Sequence, residues 1–242
     1  MAYRYATERR DQSDLASGNV LRSAPGHPGF PVRLADELFQ RAAARLPDAP
    51  LSLWDPCCGS GHLAASVGLL HRDRLSRLLA TDTDPAALSI AERNLALLTR
   101  SGLADRERGL RADAAELSKP ALLERAGTAA RLAERLDGLG GDLGHRVRAG
   151  DAFAPVVPEH PVDLVLTDVP YGGLTAFSGA APAGDPVPAL VRALAAVVPG
   201  HAVLAVTART RKVPLPEGVR ALERVRVGVR AAALVRAADA AA

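Results

Sequence analysis

The stretch from Leu51 to Leu63, Leu-Ser-Leu-Trp-Asp-Pro-Cys-Cys-Gly-Ser-Gly-His-Leu, most constrains what this chain can fold into. Its apolar start predicts a buried strand that ends at Asp55, and the segment from His62 to Leu70 predicts a helix. Between them, Gly59 and Gly61 provide bare backbone that a ligand can approach, at the N-terminus of a helix with free NH groups. This strand, glycine turn and helix predict a nucleotide-like site in an open α/β sheet.

The glycine turn alone leaves its ligand open. The run from Gly59 to Ala64 fits the loose G-x-G-x-x-G/A dinucleotide pattern, and Asp82 lies 23 residues after Gly59, near the spacing of a ribose-binding acid. Asp55, held at the strand end before Pro56 and two cysteines, argues against NAD. The string Asp-Pro-x-Cys-Gly-Ser-Gly resembles the first motif of S-adenosylmethionine-dependent nucleic-acid methyltransferases.

A second buried strand is predicted from Ser76 to Thr81. It ends at Asp82, on the sheet edge where ligands bind in open α/β folds, and a carboxylate there suits the two ribose hydroxyls. Asp84 and Pro85 fit the N-cap and first residue of the following helix, so we expect Asp84 to cap rather than bind.

A third strand is predicted from His145 to Ala149 and is followed by Asp151 and Phe153. Asp151 suits a hydrogen bond to an adenine amino group, and Phe153 supplies a ring wall. Asp113 competes with Asp151 for this role, although no clear strand precedes Asp113.

The fourth predicted strand, Val162 to Thr167, leads into Asp168-Val-Pro-Tyr-Gly-Gly. Asp168 and a carbonyl fixed by Pro170 suit the NH hydrogens of a planar amine or amide, and Tyr171 suits stacking on its ring. These three residues are the catalytic candidates. The small-residue loop from Gly172 to Pro188 is placed to close over a substrate.

Two further regions surround this predicted core. Residues 1–32 form an irregular arm whose arginines and tyrosines suit RNA contact, with a mobile terminus as the alternative. Residues from about 101 to 144 contain an inserted helical element, whose Arg125, Arg131 and Arg135 either face RNA or form a solvated face.

Composition limits the class of protein. With 242 residues and 48% hydrophobic content, the chain can form one α/β domain over residues 1–242, with its core at 33–242. The two cysteines are adjacent and the histidines lack ligand spacing, so we expect neither disulfide nor metal. We expect a soluble, cytoplasmic protein, because its start is polar and it lacks an apolar run of ~18 residues. All but two of the 30 basic residues are arginines, which suits phosphate but also fits a GC-rich coding bias.

Three motifs together resemble those of Rossmann-like S-adenosylmethionine methyltransferases that methylate amino groups. They are Asp-Pro-Cys-Cys-Gly-Ser-Gly-His-Leu, Ala-Thr-Asp-Thr-Asp-Pro and Thr-Asp-Val-Pro-Tyr-Gly-Gly, within about residues 50–210. More closely, they resemble the avilamycin-resistance rRNA methyltransferase family. The resemblance implies a mostly parallel central sheet with helices on both faces and a final antiparallel strand. It implies S-adenosylmethionine as cofactor, bound through residues Asp55, Cys57, Gly59, Gly61, Asp82, Asp151 and Phe153.

The resemblance also implies a reaction: methylation of guanine N1 in 23S ribosomal RNA or the large subunit, giving orthosomycin (avilamycin) resistance, by a monomeric enzyme. The residues themselves equally allow guanine N2, adenine N6 or a glutamine amide. Val169 stands where the wider family has proline, which leaves open how rigidly the loop presents its carbonyl. A non-catalytic RNA-binding module and an NAD-linked oxidoreductase are the alternatives from other classes.

Overall fold

The computed structural model describes residues 3–16, 18–169 and 185–241. Seven strands form one sheet: β1 (Leu51–Asp55), β2 (Leu75–Asp82), β3 (Gly144–Ala149), β4 (Leu164–Asp168), β5 (Val203–Ala208), β6 (Glu223–Val227) and β7 (Arg230–Arg236). Their order is β3-β2-β1-β4-β5-β7-β6. The first five pair in parallel, whereas β7 runs antiparallel to both β5 and β6. The predicted mostly parallel sheet with an antiparallel final strand is confirmed.

The helices are α1 (Val32–Ala43), α2 (His62–Leu70), α3 (Pro85–Leu95), α4 (Arg100–Glu116), α5 (Ala121–Gly138), α6 (Val187–Ala195) and α7 (Ala237–Ala240). They cover both faces of the sheet because side chains alternate along each strand. In β1, Leu53 packs into the core formed with α1, α2 and α3, and Trp54 packs into the core formed with α6 and α7. In β4, Leu164 and Val165 divide between the same two cores.

The clearest difference from the sequence-based expectation is α4. Only Leu103, Leu110 and Ala114 of its 17 residues are buried, so its sequence lacks a strong apolar stripe. Thr99 begins it by accepting a hydrogen bond from the amide of Gly102 at 3.1 Å. The predicted inserted element therefore consists of two helices, α4 and α5.

The N-terminal arm lies against α1. The Glu37 carboxylate, fully buried on α1, accepts hydrogen bonds from the amides of Arg4, Tyr5 and Ala6 at 2.6 to 2.8 Å. The guanidinium of Arg33 lies 4.0 Å from the centre of the Tyr3 ring. The described part of the arm is thus fixed by specific contacts, and Tyr3 stacks on a protein cation.

Candidate active site at the carboxyl ends of the strands

The glycine turn joins β1 to α2 through two left-handed residues. Gly59 has φ 51° and Gly61 has φ 70°, conformations that residues with a Cβ rarely adopt. Packing constrains Gly61 further, because a Cβ there would lie 2.8 Å from Leu95 Cδ1 and 3.1 Å from the Cα of Ala91. A Cβ at Gly59 would have no described atom within 4 Å. The turn therefore packs on α3 on one side and presents bare backbone on the other.

Asp55 ends β1 beneath this turn and is buried. Burial raises the pKa of its carboxyl to about 7, and the charges of Asp82 and Asp168 add to the increase. The Thr167 hydroxyl and the Cys57 amide oppose that shift, but neither reaches full hydrogen-bond geometry. Among the described residues, both carboxyl oxygens therefore lack a hydrogen-bond partner. Such a group favours a ligand that is cationic or donates hydrogen bonds.

Asp82 ends β2, and the glycine turn holds its side chain. Its Oδ2 accepts a hydrogen bond from the Gly59 amide at 2.8 Å, and its Oδ1 accepts one from the Asp84 amide at 3.0 Å. Asp84 caps α3 as predicted, with its Oδ1 accepting from the Ala86 amide at 2.8 Å. The two amides orient the carboxylate of Asp82. Because Asp82 is partly exposed, this carboxylate is still reachable from outside.

Asp151 and Phe153 follow β3 at the same edge of the sheet. The Gly150 amide donates to the Asp82 carbonyl at 3.0 Å, which joins the two strand ends. Asp151 Oδ1 accepts from the Phe153 amide at 2.9 Å, and the Phe153 ring packs against the core that contains Trp54. The competing candidate Asp113 lies instead on α4, away from any strand end.

Asp168 ends β4 and is held on one side only. Its Oδ2 forms an ion pair with Arg230 Nη2 at 3.0 Å, and its Oδ1 has no hydrogen-bond partner among the described residues. Burial raises the pKa of Asp168 to about 6, although the positive charges of Arg230 and Arg209 lower it. Asp168 is thus a carboxyl group with a raised pKa and, among the described residues, one buried acceptor oxygen without a partner.

Arg230, at the start of β7, is the residue that sequence reasoning missed. Its side chain is 9% exposed, and its guanidinium carbon lies 5.0 Å from the centre of the Phe30 ring. The Phe30 amide in turn donates to Nδ1 of the buried His62, at 3.3 Å. Burial lowers the pKa of His62 to about 4, so its ring stays neutral. The sequence signal was an arginine directly before the apolar run Ala-Ala-Ala-Leu-Val of β7.

The two cysteines are free thiols beside the turn. Cys57 is partly exposed and Cys58 is buried. Burial raises the pKa of both, and the neighbouring carboxylates Asp55 and Asp82 raise it further, so both thiols stay protonated.

The structure brings the predicted strand-end acids to one edge of the sheet. Asp82 and Asp168 lie close enough to Asp55 to raise its pKa, and Asp151 likewise contributes to the raised pKa of Cys57. The other two catalytic candidates, Pro170 and Tyr171, and most of the predicted closing loop lie outside the described residues.

The described residues contain no group of three or more His, Cys, Asp or Glu side chains arranged to hold a metal ion. Within the same ranges, no helix has the length and apolar character needed to cross a membrane.

A parallel sheet of this order, a glycine turn after its first strand and acids at the next strand ends define a Rossmann-like methyltransferase. The family model that matches residues 1–230 is described as rRNA methyltransferase AviRa, and the chain belongs to that family. A relative from Streptomyces viridochromogenes, named 23S rRNA (guanine(2535)-N(1))-methyltransferase, is 54% identical over 244 residues, 98% of this chain and 97% of the relative.

Solved structures agree with this assignment. Two structures of rRNA methyltransferase AviRa from Streptomyces viridochromogenes match with TM-scores of 0.91 and 0.92. In both, sequence identity is 53%, and the match covers 99% of this chain and 98% of the other. The predicted family, enzyme class and fold are thereby confirmed.

Proposed function

We propose that the protein transfers a methyl group from S-adenosylmethionine to N1 of a guanine in 23S ribosomal RNA. The observation that carries the proposal is Asp168: a strand-end carboxylate, fixed through one oxygen by Arg230 and, among the described residues, buried without a hydrogen-bond partner at the other, with a pKa of about 6. Guanine N1 carries a proton that must leave as the methyl group arrives. Asp168 is ionised at neutral pH and can accept that proton.

The residues present fit S-adenosylmethionine, which supplies an electrophilic methyl group on a positively charged sulfur. Asp82 suits the ribose hydroxyls, since the Gly59 amide orients its carboxylate at a reachable position. Asp151 suits the adenine amino group, with Phe153 as the neighbouring ring. Asp55, buried without a hydrogen-bond partner among the described residues, suits the positive end of the cofactor.

The protein's contribution is geometric and electrostatic. The glycine turn and the oriented acids hold one reactant, and Asp168 aligns the guanine edge so that nitrogen, methyl carbon and sulfur lie in line. Such alignment can supply ~7 to 11 kcal/mol of the barrier. When bound, S-adenosylmethionine would supply the methyl group and keep the bonding electron pair on its sulfur, and Asp168 would take up the N1 proton and pass it to water.

The proposed site of action is 23S ribosomal RNA or the large ribosomal subunit in the cytoplasm, with the protein acting as a monomer. The 54% identical relative, whose name specifies guanine N1 in 23S rRNA, supports this substrate. The motif resemblance to avilamycin-resistance enzymes supports a role in resistance to orthosomycins.

The test is transfer of labelled methyl from S-adenosylmethionine to unmodified 23S rRNA, with the product mapped to a base and an atom. Asp168→Asn should abolish transfer while cofactor binding persists. Asp163→Asn is the matched control, because Asp163 lies just before β4, at the opposite end of that strand, where it accepts from the Ser52 amide at 2.8 Å. Label on adenine or on protein would refute the guanine assignment, and full activity of Asp168→Asn would refute the role of Asp168.

A further inference from the structure

Four arginines gather at one side of the glycine turn. We name Arg22, Arg93, Arg106 and Arg125 the arginine cluster; they come from the arm, α3, α4 and α5. The Arg22 guanidinium donates to the Arg93 carbonyl at 3.4 Å. Arg106 and Arg125 line a cleft of about 590 Å³ between α4 and α5, which we name the α4–α5 cleft.

The cluster is short of negative charge. Asp113 is the one carboxylate among the described residues that line the α4–α5 cleft, whereas Lys119 adds a further cation. Burial lowers the pKa of Arg106 to about 10, and the charges of Arg22 and Arg125 lower it further. Guanidinium groups that repel one another in this way favour an external anion.

Hydrogen bonds hold the guanidinium groups of Arg22, Arg93 and Arg106, so these three charges are positioned in advance. Arg106 donates through Nε and Nη2 to the carbonyls of Val20 and Asn19, both at 3.1 Å, which fixes the arm against α4. These two bonds do not use Nη1 of Arg106, and Arg106 is one of the residues that line the cleft. A charge held in position loses less entropy when it binds a phosphate than a flexible one does.

One buried side chain joins the cluster to the active site. Asn94 on α3 is fully buried; its Oδ1 accepts from the Arg22 amide at 2.7 Å, and its Nδ2 donates to the carbonyls of Arg22 and Ser60 at 2.9 and 2.8 Å. Ser60 lies between the two glycines of the turn. Through its hydrogen bonds, Asn94 therefore links the backbone of Arg22 to the glycine turn of the candidate cofactor site.

We infer that the arginine cluster and the α4–α5 cleft bind the phosphate backbone of the RNA whose base enters the active site. This inference rests on the proposed function and adds a docking surface to it. The surface is adjacent to the glycine turn, carries several fixed cations and contains one acid, as a polyanion requires. Phosphate contacts of this kind position an RNA without reading its sequence, and they also offset the cost of turning a base outward.

The test compares Arg125→Glu with Arg108→Glu, two substitutions with the same change in charge. Arg125 lines the cleft and has no side-chain hydrogen bond among the described residues, so its loss should not disturb folding. Arg108 is exposed on α4, about 200° around the helix from Arg106, and pairs with Asp105. It therefore controls for net charge. Arg93→Glu serves as a second variant within the cluster.

Two quantities are measured for each variant: affinity for a 23S rRNA fragment across salt concentrations, and methyl transfer at saturating RNA. For Arg125→Glu we expect affinity to fall roughly three- to tenfold, and the salt dependence to lose about 0.7 to 0.9 from its logarithmic slope. Transfer at saturating RNA should stay within about twofold of the unaltered protein, since the chemistry lies elsewhere. Arg108→Glu should match the unaltered protein in affinity, in salt dependence and in transfer.

Equal affinities and salt slopes for Arg125→Glu and Arg108→Glu, with methyl transfer by the unaltered protein intact, would overturn the docking surface alone. Lost transfer at saturating RNA with unchanged affinity would also overturn it. Absence of methyl transfer by the unaltered protein, with cofactor bound, would instead overturn the proposed function.

Discussion

Replacing Arg230 by methionine tests how the protein sets the charge state of Asp168. The pKa of Asp168 is about 6 in the folded protein against an ordinary 3.8, because burial outweighs the attraction of Arg230. Because the pKa of Asp168 is higher in the folded than in the unfolded protein, the free energy of unfolding falls as pH rises through 6. The total loss at full ionisation is about 3 kcal/mol. Without Arg230 the carboxyl remains buried and loses its ion pair at 3.0 Å.

For Arg230→Met we expect changes in two pH profiles, that of methyl transfer and that of the free energy of unfolding. A close opposite charge lowers a carboxyl pKa by about 1 to 3 units, so the acid limb of methyl transfer should move up by that amount. Asp168 keeps 26% of its side chain exposed, which places the expected shift in the lower half of that range. The free energy of unfolding should fall by about 1.4 to 2.7 kcal/mol at pH 8 and by little at pH 5, where Asp168 is protonated.

The assay is urea unfolding at pH 5 and pH 8, together with single-turnover methyl transfer from pH 5 to pH 9. Arg230→Lys keeps a positive charge and should restore most of the original profile. Arg209→Met is a graded control: exposed Arg209 also lowers the pKa of Asp168, and solvent should reduce its effect. If Arg230→Met loses the same stability at both pH values, with its activity profile unmoved, then Arg230 acts by packing on Phe30 and the electrostatic reasoning fails.

Three other substitutions follow from the same structure. Gly61→Ala should lower the free energy of unfolding by about 2 to 3 kcal/mol in urea titration, since it combines a left-handed φ with a clash against Leu95; an unchanged midpoint would contradict the geometry of the turn. Asn94→Ala should cost about 2 to 3 kcal/mol, because it leaves the Ser60 carbonyl and the arm amide without partners. Glu37→Gln should release the arm, measured as faster protease cleavage within the first 12 residues. The arm amides lower the pKa of Glu37, so its contribution holds above the ordinary value of 4.5 and is lost as pH falls through the lower, folded value. In the unaltered protein, the arm should therefore also loosen in acid. If the arm of Glu37→Gln resists the protease as well as the unaltered arm does, the role of Glu37 is contradicted.

The strand ends were predictable from sequence because each obeys a local rule. Short segments of four to six residues in which apolar side chains predominate mark buried strands, and Asp55, Asp82 and Asp168 follow such segments directly. Parallel strands place those ends at one edge, so local patterns were enough to predict which acids would meet. The cap at Asp84 was predictable for the same reason, since an Asp-Pro pair specifies a helix start.

The partners of these acids were not predictable, because they depend on contacts between distant segments. Arg230 reaches Asp168 only because β7 inserts beside β5 in the antiparallel direction, a register that no local pattern encodes. Phe30 reaches Arg230 only because the arm crosses the strand ends. Helix α4 escaped prediction for a different reason: it buries three of 17 side chains, too few to produce helical periodicity.

The acids of the candidate site and the arginines of the cluster occupy different parts of the molecule, a separation that the formal net charge of +3 does not reveal. Inside the site, Asp55, Asp82 and Asp168 form a cluster whose mutual repulsion contributes to the raised pKa of Asp55. The sulfonium cofactor that we propose would relieve that repulsion, whereas the neutral thioether left after transfer would not, so the acids would favour the reactant over the product and assist product release. Outside the candidate site, the arginine cluster lies next to the glycine turn and attracts negative charge. In the proposed function, this arrangement would draw an anionic RNA to the rim of the site and a cationic cofactor to its floor, and would repel each from the position of the other.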